Sequence, residues 1–542
     1  MFDHLKAATN VRWSKGATEM SLGDRIPSET RSLNRSNAIA IFWICLCTFL
    51  SLLVVFLLLQ RLGLPAEIVV GAIITLSVAV LGGLAWISRT MTSSVFFFAN
   101  RALGPFTSGL GSSSDFLSGA LLILFFSTHL TGKMVIATGL VLGVLFHAAL
   151  FSAPFQRSGA AGIPGYFSWR FGRQFTGYLS LLAVFGMLFM FAMAEFQIAR
   201  NMLQVQTGLS LEQTGLVIII LAVLPSLFGG WTGLLLVNAV LAIWMLACTL
   251  IPAIATGFFA PMLKRALQLD FVRSPMEELE LAPSTVLFGL SGEPSNATIA
   301  LSVLVIAAGI STLPHAMSRL STNSRAVEAI ESVGWLALMV FLMLSALPLS
   351  VGLIIASPTS PQLAVILKSQ PVLQTLPYFV ILFAALNGLA ATLFTAASSV
   401  VRATSRLRNI DPGEQSVFST RLGILVLAAI LLALPDDMTP SPEHLLVGAL
   451  MLGAGGLFVP MVASTWAGAI SVWAADAAIL LGAATTAVLL SPLVEFVDLP
   501  VVWAGLLGGL VASIILTIDR LIAILRGRTG ELNTSAQILR RH

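Results

Sequence analysis

The chain has 542 residues, 57% of them hydrophobic and only 10% charged, with a mean hydropathy of +0.94. A soluble core of this size needs no such depletion of charge, so the composition reads as a polytopic membrane protein. The formal charge of +4 arises from 29 basic and 25 acidic residues, an excess that suits arginine-rich cytoplasmic loops and gives no reason to expect a nucleic-acid partner.

Residues 1–37 form a polar, basic tail, expected in the cytoplasm. It is too long for the n-region of a signal peptide, and no small-residue cleavage site follows the first apolar run, so the first span reads as uncleaved. Hydropathy then gives about 14 transmembrane helices. They fall as two accessory helices over 38–92, five helices over 95–262, five over 296–466 and two more accessory helices over 468–525. A loop at 263–295 carries Glu277, Glu278 and Glu280 and is expected outside, as a solvated cap or an outer lid. Residues 526–542 make a short basic cytoplasmic tail. With the N-terminus inside, most of the 29 lysines and arginines fall on the inner side, Arg101, Arg170 and Arg319 among them. Cys45, Cys47 and Cys248 lie in apolar helices and read as packing residues rather than disulfide or metal partners.

Two segments interrupt the apolar pattern. The first is Gly109-Leu-Gly-Ser-Ser-Ser-Asp-Phe-Leu-Ser-Gly119, with apolar flanks. A carboxylate such as Asp115 at mid-bilayer costs roughly 2.5–3.5 kcal/mol even on the lenient insertion scale. Glycine and serine let a helix open and turn backbone carbonyls toward a cavity, which is what a transporter needs at its binding site. The second is Ala307-Ala-Gly-Ile-Ser-Thr-Leu-Pro-His-Ala316, where Gly309, Ser311, Thr312 and Pro314 weaken the helix. Each opens a group of five spans, and the two enter the membrane from opposite sides. Broken helices at matching places in two oppositely oriented halves suggest an inverted five-plus-five repeat.

Other polar residues stand out against the apolar background. Glu195 lies beyond the middle of its span and is a titratable group at the membrane's depth; it reads as a proton carrier or as a hydrogen-bonded packing residue. Arg200 follows five residues on, too far round the helix to pair with it. His147 reads as packing, and Asp476 as a contact between accessory helices. Ser112, Ser113, Ser114, Ser118 and Ser311 either satisfy their own helices or make a wet cavity together. Thr392 and Thr395, three apart, share a helix face.

Several ordered motifs carry a resemblance. They are Phe98-Ala-Asn-Arg-Ala-Leu-Gly-Pro105, the Asp115-x-x-Ser118 pair, Ile163-Pro-Gly-Tyr-Phe-Ser-Trp-Arg170, and Gly229-Gly-Trp followed by Asn238. Strongest is Gly309-Ile-Ser-Thr-Leu-Pro-His315 with Arg319 and Thr322. In this order the chain resembles the sodium/solute symporter family, on its acetate and monocarboxylate permease branch. The resemblance implies a LeuT-type fold with ten core helices in two inverted repeats. It places the solute between core helices 1, 3, 6 and 8, near Ser114, Asp115, Ser118, Glu195, Ser311 and His315. It places sodium between carbonyls of broken core helix 1, at Ser113 and Phe116, and hydroxyls of core helix 8. The family's usual hydroxyl pair falls here on Ala390 and Ala391, leaving Thr392 and Thr395 as the nearest hydroxyls. Asn100 and Gly165 also stand where the family carries glycine and aspartate, and Leu234, Leu236 and Asn238 replace its polar run in core helix 5.

The expected function is cation-coupled symport of a small organic solute, a monocarboxylate such as acetate, by alternating access. Sodium is the expected coupling ion and the proton its alternative; no other cofactor or metal is expected. Arg101, Arg170 and Arg319 are read as a cytoplasmic gating signature. Proton-coupled or uncoupled transport, and a solute sensor working through a separate membrane or signalling partner, are the competing readings. No phosphate loop, metal cluster or nucleophile motif marks an enzyme. The expected partners are the solute and the lipid bilayer, and the expected location is the inner membrane with both termini cytoplasmic.

Overall fold

In the computed structural model the described residues are 28–101, 104–128, 130–257, 295–355, 372–407, 414–435, 439–467, 470–491 and 501–525. Residues 1–27 of the N-terminal tail, the loop up to residue 294 and the C-terminal tail lie outside them, and the tail's residues 28–37 begin the first helix. Every described element is helical. We number the helices α1 (Ser28–Arg61), α2 (Ala66–Ile87), α3 (Ser93–Phe98), α4 (Pro105–Phe116), α5 (Gly119–Ser127), α6 (Leu130–Ser158), α7 (Ile163–Phe171), α8 (Gln174–Thr207) and α9 (Leu211–Gly257). The second half holds α10 (Asn296–Ser311), α11 (Pro314–Leu320), α12 (Ala326–Ile355), α13 (Val372–Leu407), α14 (Glu414–Ala433), α15 (Pro442–Trp466), α16 (Val472–Leu489) and α17 (Val502–Leu525).

Among the described residues ten helices are long and apolar enough to cross a bilayer, or twelve if each bent pair counts as one span, against the fourteen expected. Two places make the difference. Helix α1 carries the apolar run at 38–60, a further crossing by length that lies outside these ten. Helix α9 runs for 47 residues, about 70 Å at 1.5 Å per residue, over twice a hydrocarbon core. It reverses at Gly230, whose φ of 55° and ψ of −137° are open to glycine and strained for other residues. A Cβ at Gly230 would also strike the backbone of Phe96 in α3, so the turn and the packing of α3 depend on the same bare position.

The interior is arranged around α13, whose apolar stretch is 100% buried within the protein. A helix apolar all round belongs at a centre rather than at a lipid face. Helices α8 and α9 pack along α13, α10 lies against α6, and α4 is held between α9 and α12. Helices α16 and α17 pair at the periphery against the middle of α15. Helix α17 exposes Leu510, Ile514, Ile518 and Leu521, which suits a lipid-facing surface.

Both expected breaks are present. Helices α4 and α5 meet at 47°, and α10 and α11 at 49°. At the first, Leu117 leaves helical geometry and Ser118 restarts the chain as N-cap of α5, accepting from Leu121 N at 3.1 Å. The serines before it weaken the last turns of α4 by bonding back to carbonyls: Ser112 to Ser108, Ser113 to Leu110 and Ser114 to Gly111. At the second, Pro314 holds the first position of α11, and Leu313 before it is extended at φ −51° and ψ 115°.

Candidate functional site

The two breaks are joined by a buried ion pair. Arg319, in the last turn of α11, directs Nε to Asp115 Oδ2 at 2.5 Å and Nη2 to Asp115 Oδ1 at 2.7 Å. Its Nη1 donates to the Gly111 carbonyl at 2.5 Å. Both side chains are sealed from solvent, at 1% and 0% exposure, so this ion pair, hydrogen-bonded through Nη2, sits in a medium where charge interactions are weakly screened. The guanidinium also lies 5.2 Å from the ring centre of Trp231, at the start of the returning half of α9. With the Asn238 amide turned to satisfy its neighbours, its oxygen accepts from Arg319 Nη2 at 2.5 Å and its nitrogen donates to Asn387 Oδ1 at 2.8 Å. One connected set thus runs from α4 through α11 and α9 to α13.

Arg319, expected in a cytoplasmic gating signature, lies buried at the first break against Asp115. Its stem and head are buried, and its charge is spent inside the bundle. The other two arginines of that signature do sit nearer the surface. Arg170 donates from Nε to the Ser464 carbonyl at 2.8 Å, tying α7 to the end of α15. Burial pulls its guanidinium below the ordinary arginine value, with the Tyr166 phenol opposing the shift. Arg101 lies over the Phe98 ring at 5.8 Å and ends a run, Ala99, Asn100 and Arg101, with φ near +50° (50°, 52° and 51°). Asparagine tolerates that left-handed conformation better than most residues, which accounts for Asn100 where glycine is the simpler choice.

The second carboxylate belongs to Glu195 on α8, wholly buried. Its Oε2 accepts from Gly119 N at 3.0 Å and its Oε1 from Ala120 N at 3.3 Å. These are amides that the first turn of α5 leaves without helical partners, at the positive end of that helix. Helix α13 makes room for the carboxyl with Gly388, where a Cβ would stand 3.1 Å from Glu195 Cγ and 3.2 Å from Cδ.

Two histidines line the same region. His315 follows Pro314 and turns Nε2 toward the Asp115 carbonyl at 3.4 Å, at the frayed end of α4. Its ring rests on Phe191, 5.0 Å between centres, one turn before Glu195 on α8. Its Nδ1 is buried with no hydrogen-bond partner. His147, on a π-turn of α6, donates from Nδ1 to the Ser311 carbonyl at 3.1 Å and packs its ring 5.2 Å from Phe116. It satisfies the freed backbone of α10, a more specific task than the packing expected of it.

Of the six expected solute residues, Asp115, Ser118, Glu195 and His315 meet at the first break. Ser114 and Ser311 turn their hydroxyls back to Gly111 and Ala308. Of the expected ion residues, Ser113 bonds back to Leu110, and Phe116 is buried beside His147. Thr392 donates to the Gly388 and Leu389 carbonyls at 2.8 and 2.9 Å, while Thr395 is buried with its hydroxyl unpartnered. Donation leaves the lone pairs of Thr392 open, so both hydroxyls remain capable of holding a hard cation. The expectation for Asp476 needs correction: its charged neighbour is Arg173 at the start of α8, 3.9 Å away, rather than another accessory helix. Trp231 and Asn387 are part of the site and carried no functional reading in the sequence; their signal is an indole beside the Gly229-Gly230 turn and an amide within the apolar run of α13.

Residues 96–435 match the sodium:solute symporter family. The chain belongs to that family. The match begins at α3 and ends beyond α14, so it contains both breaks and the whole charged set. Among solved structures the chain is similar to a Na+-coupled sialic acid symporter in a substrate-bound outward-open state. That likeness has a TM-score of 0.64 and 15% identity over 83% of this chain and 97% of the other. A weaker likeness links it to Mhp1, a nucleobase-cation-symport-1 family transporter, with a TM-score of 0.44 and 16% identity over 81% and 94% of the two chains. An Eremococcus coleocola manganese transporter gives 0.42 and 14% over 82% and 96%. Comparison with curated proteins gives no match. The fold of this symporter is therefore the LeuT-type arrangement, and the chain is a multi-pass secondary transporter rather than an enzyme.

Proposed function

We propose that this symporter couples inward movement of sodium to uptake of a small organic solute, and that the solute is a monocarboxylate of the acetate class. Both broken helices then take part in alternating access, with both termini of the chain cytoplasmic and the bilayer that of the inner membrane. The observation that carries the coupling is the charge at the breaks. Two carboxylates, Asp115 and Glu195, are buried there with one guanidinium, Arg319. A buried carboxylate with no cationic partner is costly even when backbone amides hold it. An entering cation offsets that charge, so cation and solute binding favour one another.

Helix α13 supports sodium as that cation through Thr392 and Thr395, and it packs against α4, whose Ser113 and Phe116 carbonyls are the further candidates; that of Ser113 already accepts from Leu117 N at 3.0 Å. The monocarboxylate class rests on the permease-like Leu-Pro-His motif and on the polar break. The test is uptake of labelled acetate into proteoliposomes under an inward sodium gradient, an inward proton gradient, or neither. The reading predicts accumulation driven by sodium. Uptake that follows the proton gradient and ignores sodium would transfer the coupling to Glu195, and uptake indifferent to both would remove it.

A further inference from the structure

Away from the breaks, a cleft of about 470 Å³, its open mouth included, lies between the start of α7, the first turns of α8 and the end of α13. Small residues give it room: Gly162, Gly165 and Gly177 all line it. Tyr178 closes one side by donating its phenolic O–H to the Ala403 carbonyl at 3.1 Å, which pins α8 to α13. At the inner wall a Cβ on Gly162 would stand 3.1 Å from Ser318 Oγ, so the cleft reaches α11 one residue before Arg319. Asp115, Glu195, His315 and Arg319 do not line it, which separates the cleft from the charged centre.

The charge of the cleft has one sign. Among the described residues that line it none is acidic, and Arg402 is the one that carries a charge. That guanidinium is half-buried and lies over two rings of α3, 4.3 Å from the centre of Phe97 and 5.1 Å from that of Phe98. Ring contacts use the charge and the face of a guanidinium, and its N–H donors project from the edge. Ser399 lies three residues earlier on the same face of α13 and also lines the cleft. A planar fork beside a hydroxyl, in a partly desolvated recess, suits a small carboxylate, which takes two parallel N–H bonds from arginine.

We propose that this cleft binds a small carboxylate on Arg402 and Ser399, and that the bound anion slows transport. The slowing is a population shift. The centre is sealed in this arrangement, with Asp115 and Glu195 wholly buried, and a ligand stabilises the arrangement that it fits. That the anion is also the transported solute rests on the monocarboxylate reading above; the site itself does not.

The experiment counts labelled acetate bound per chain, by equilibrium dialysis of the purified full chain, for the parent, Arg402→Gln and Gly165→Asp. Aspartate at 165 tethers a competing carboxylate in the cleft and leaves Arg402 in place, so it carries the test should Arg402→Gln not fold. Each variant is expected to bind one acetate fewer than the parent. Chloride at equal concentration is expected to leave the parent's count unchanged. An unchanged count in Gly165→Asp, or displacement of acetate by chloride, overturns the site. Proteoliposomes are then preloaded with acetate or, at equal ionic strength, chloride. Acetate is expected to slow the parent's initial uptake of labelled acetate by about threefold or more and to leave that of Gly165→Asp unaffected. No slowing of the parent, or equal slowing of both, overturns the inhibitory role. A parent that binds one acetate, lost in the variants, and that takes up none sustains the cleft site and refutes acetate as the transported solute. Sodium-driven acetate uptake with an unchanged count in the variants does the reverse.

Discussion

Removing the guanidinium of Arg319 should be far more damaging than removing it together with its partner. In Arg319→Gln the Asp115 carboxylate stays buried with its counter-charge gone. The pair has nitrogen–oxygen separations of 2.5 and 2.7 Å. Taking the charge centres as about 4 Å apart and an effective dielectric of about 20, the interaction is about 4 kcal/mol. That agrees with the roughly 3–5 kcal/mol seen when one member of a buried pair is deleted. The Gly111 carbonyl and the Asn238 amide also lose their donor, adding about 1 kcal/mol each. In Asp115→Asn/Arg319→Gln both charges are gone, and most of the cost should be recovered. The assay is a double-mutant cycle on the stability of purified protein in detergent, read as thermal midpoint and as folded fraction at fixed temperature. The prediction is a coupling energy of about 3 kcal/mol or more, with the double variant more stable than Arg319→Gln. Additive single effects, or an Arg319→Gln protein as stable as the parent, would refute the reasoning.

Other consequences follow from single contacts. Gly230→Ala places a Cβ against the Phe96 backbone at a left-handed φ of 55°, and is expected to lose folded protein on expression and size-exclusion chromatography. Ser118→Ala removes the N-cap of α5 and should cost about 1 kcal/mol of stability, measurable as a lower thermal midpoint at unchanged expression. Thr395→Val replaces a buried, unpartnered hydroxyl with a methyl; if the hydroxyl holds sodium, the half-saturating sodium concentration for uptake should rise about tenfold, or roughly 1.4 kcal/mol. An unchanged sodium dependence would remove Thr395 from the ion site. Gly388→Val should displace Glu195 from the α5 amides and lower transport while the protein remains folded, as followed by uptake against chromatographic profile.

The sequence made the breaks legible because their cause is local. Glycine, back-bonding serines and a proline disfavour helix wherever they occur, and 109–119 and 307–316 contain little else that is polar. The Gly229-Gly230 reversal was visible for the same reason. What lay beyond reading were partners that only tertiary structure supplies. Arginine near the end of an apolar segment reads as snorkelling to the surface, and nothing local to Arg319 points to a carboxylate 204 residues away. Glu195 was conspicuous as a membrane carboxylate, but two of its partners are the backbone amides of Gly119 and Ala120, which carry no side-chain signature. The two crossings joined in α9 were separable only at that Gly-Gly pair, because no polar loop lies between them.

The central claim is that sodium and solute pass together through the broken-helix centre. Its most direct measurement is entry of radiolabelled sodium into proteoliposomes bearing the purified chain, with and without external acetate. The account predicts that acetate accelerates sodium entry and that sodium in turn accelerates acetate entry. Sodium flux indifferent to acetate, alongside acetate flux indifferent to sodium, would contradict it.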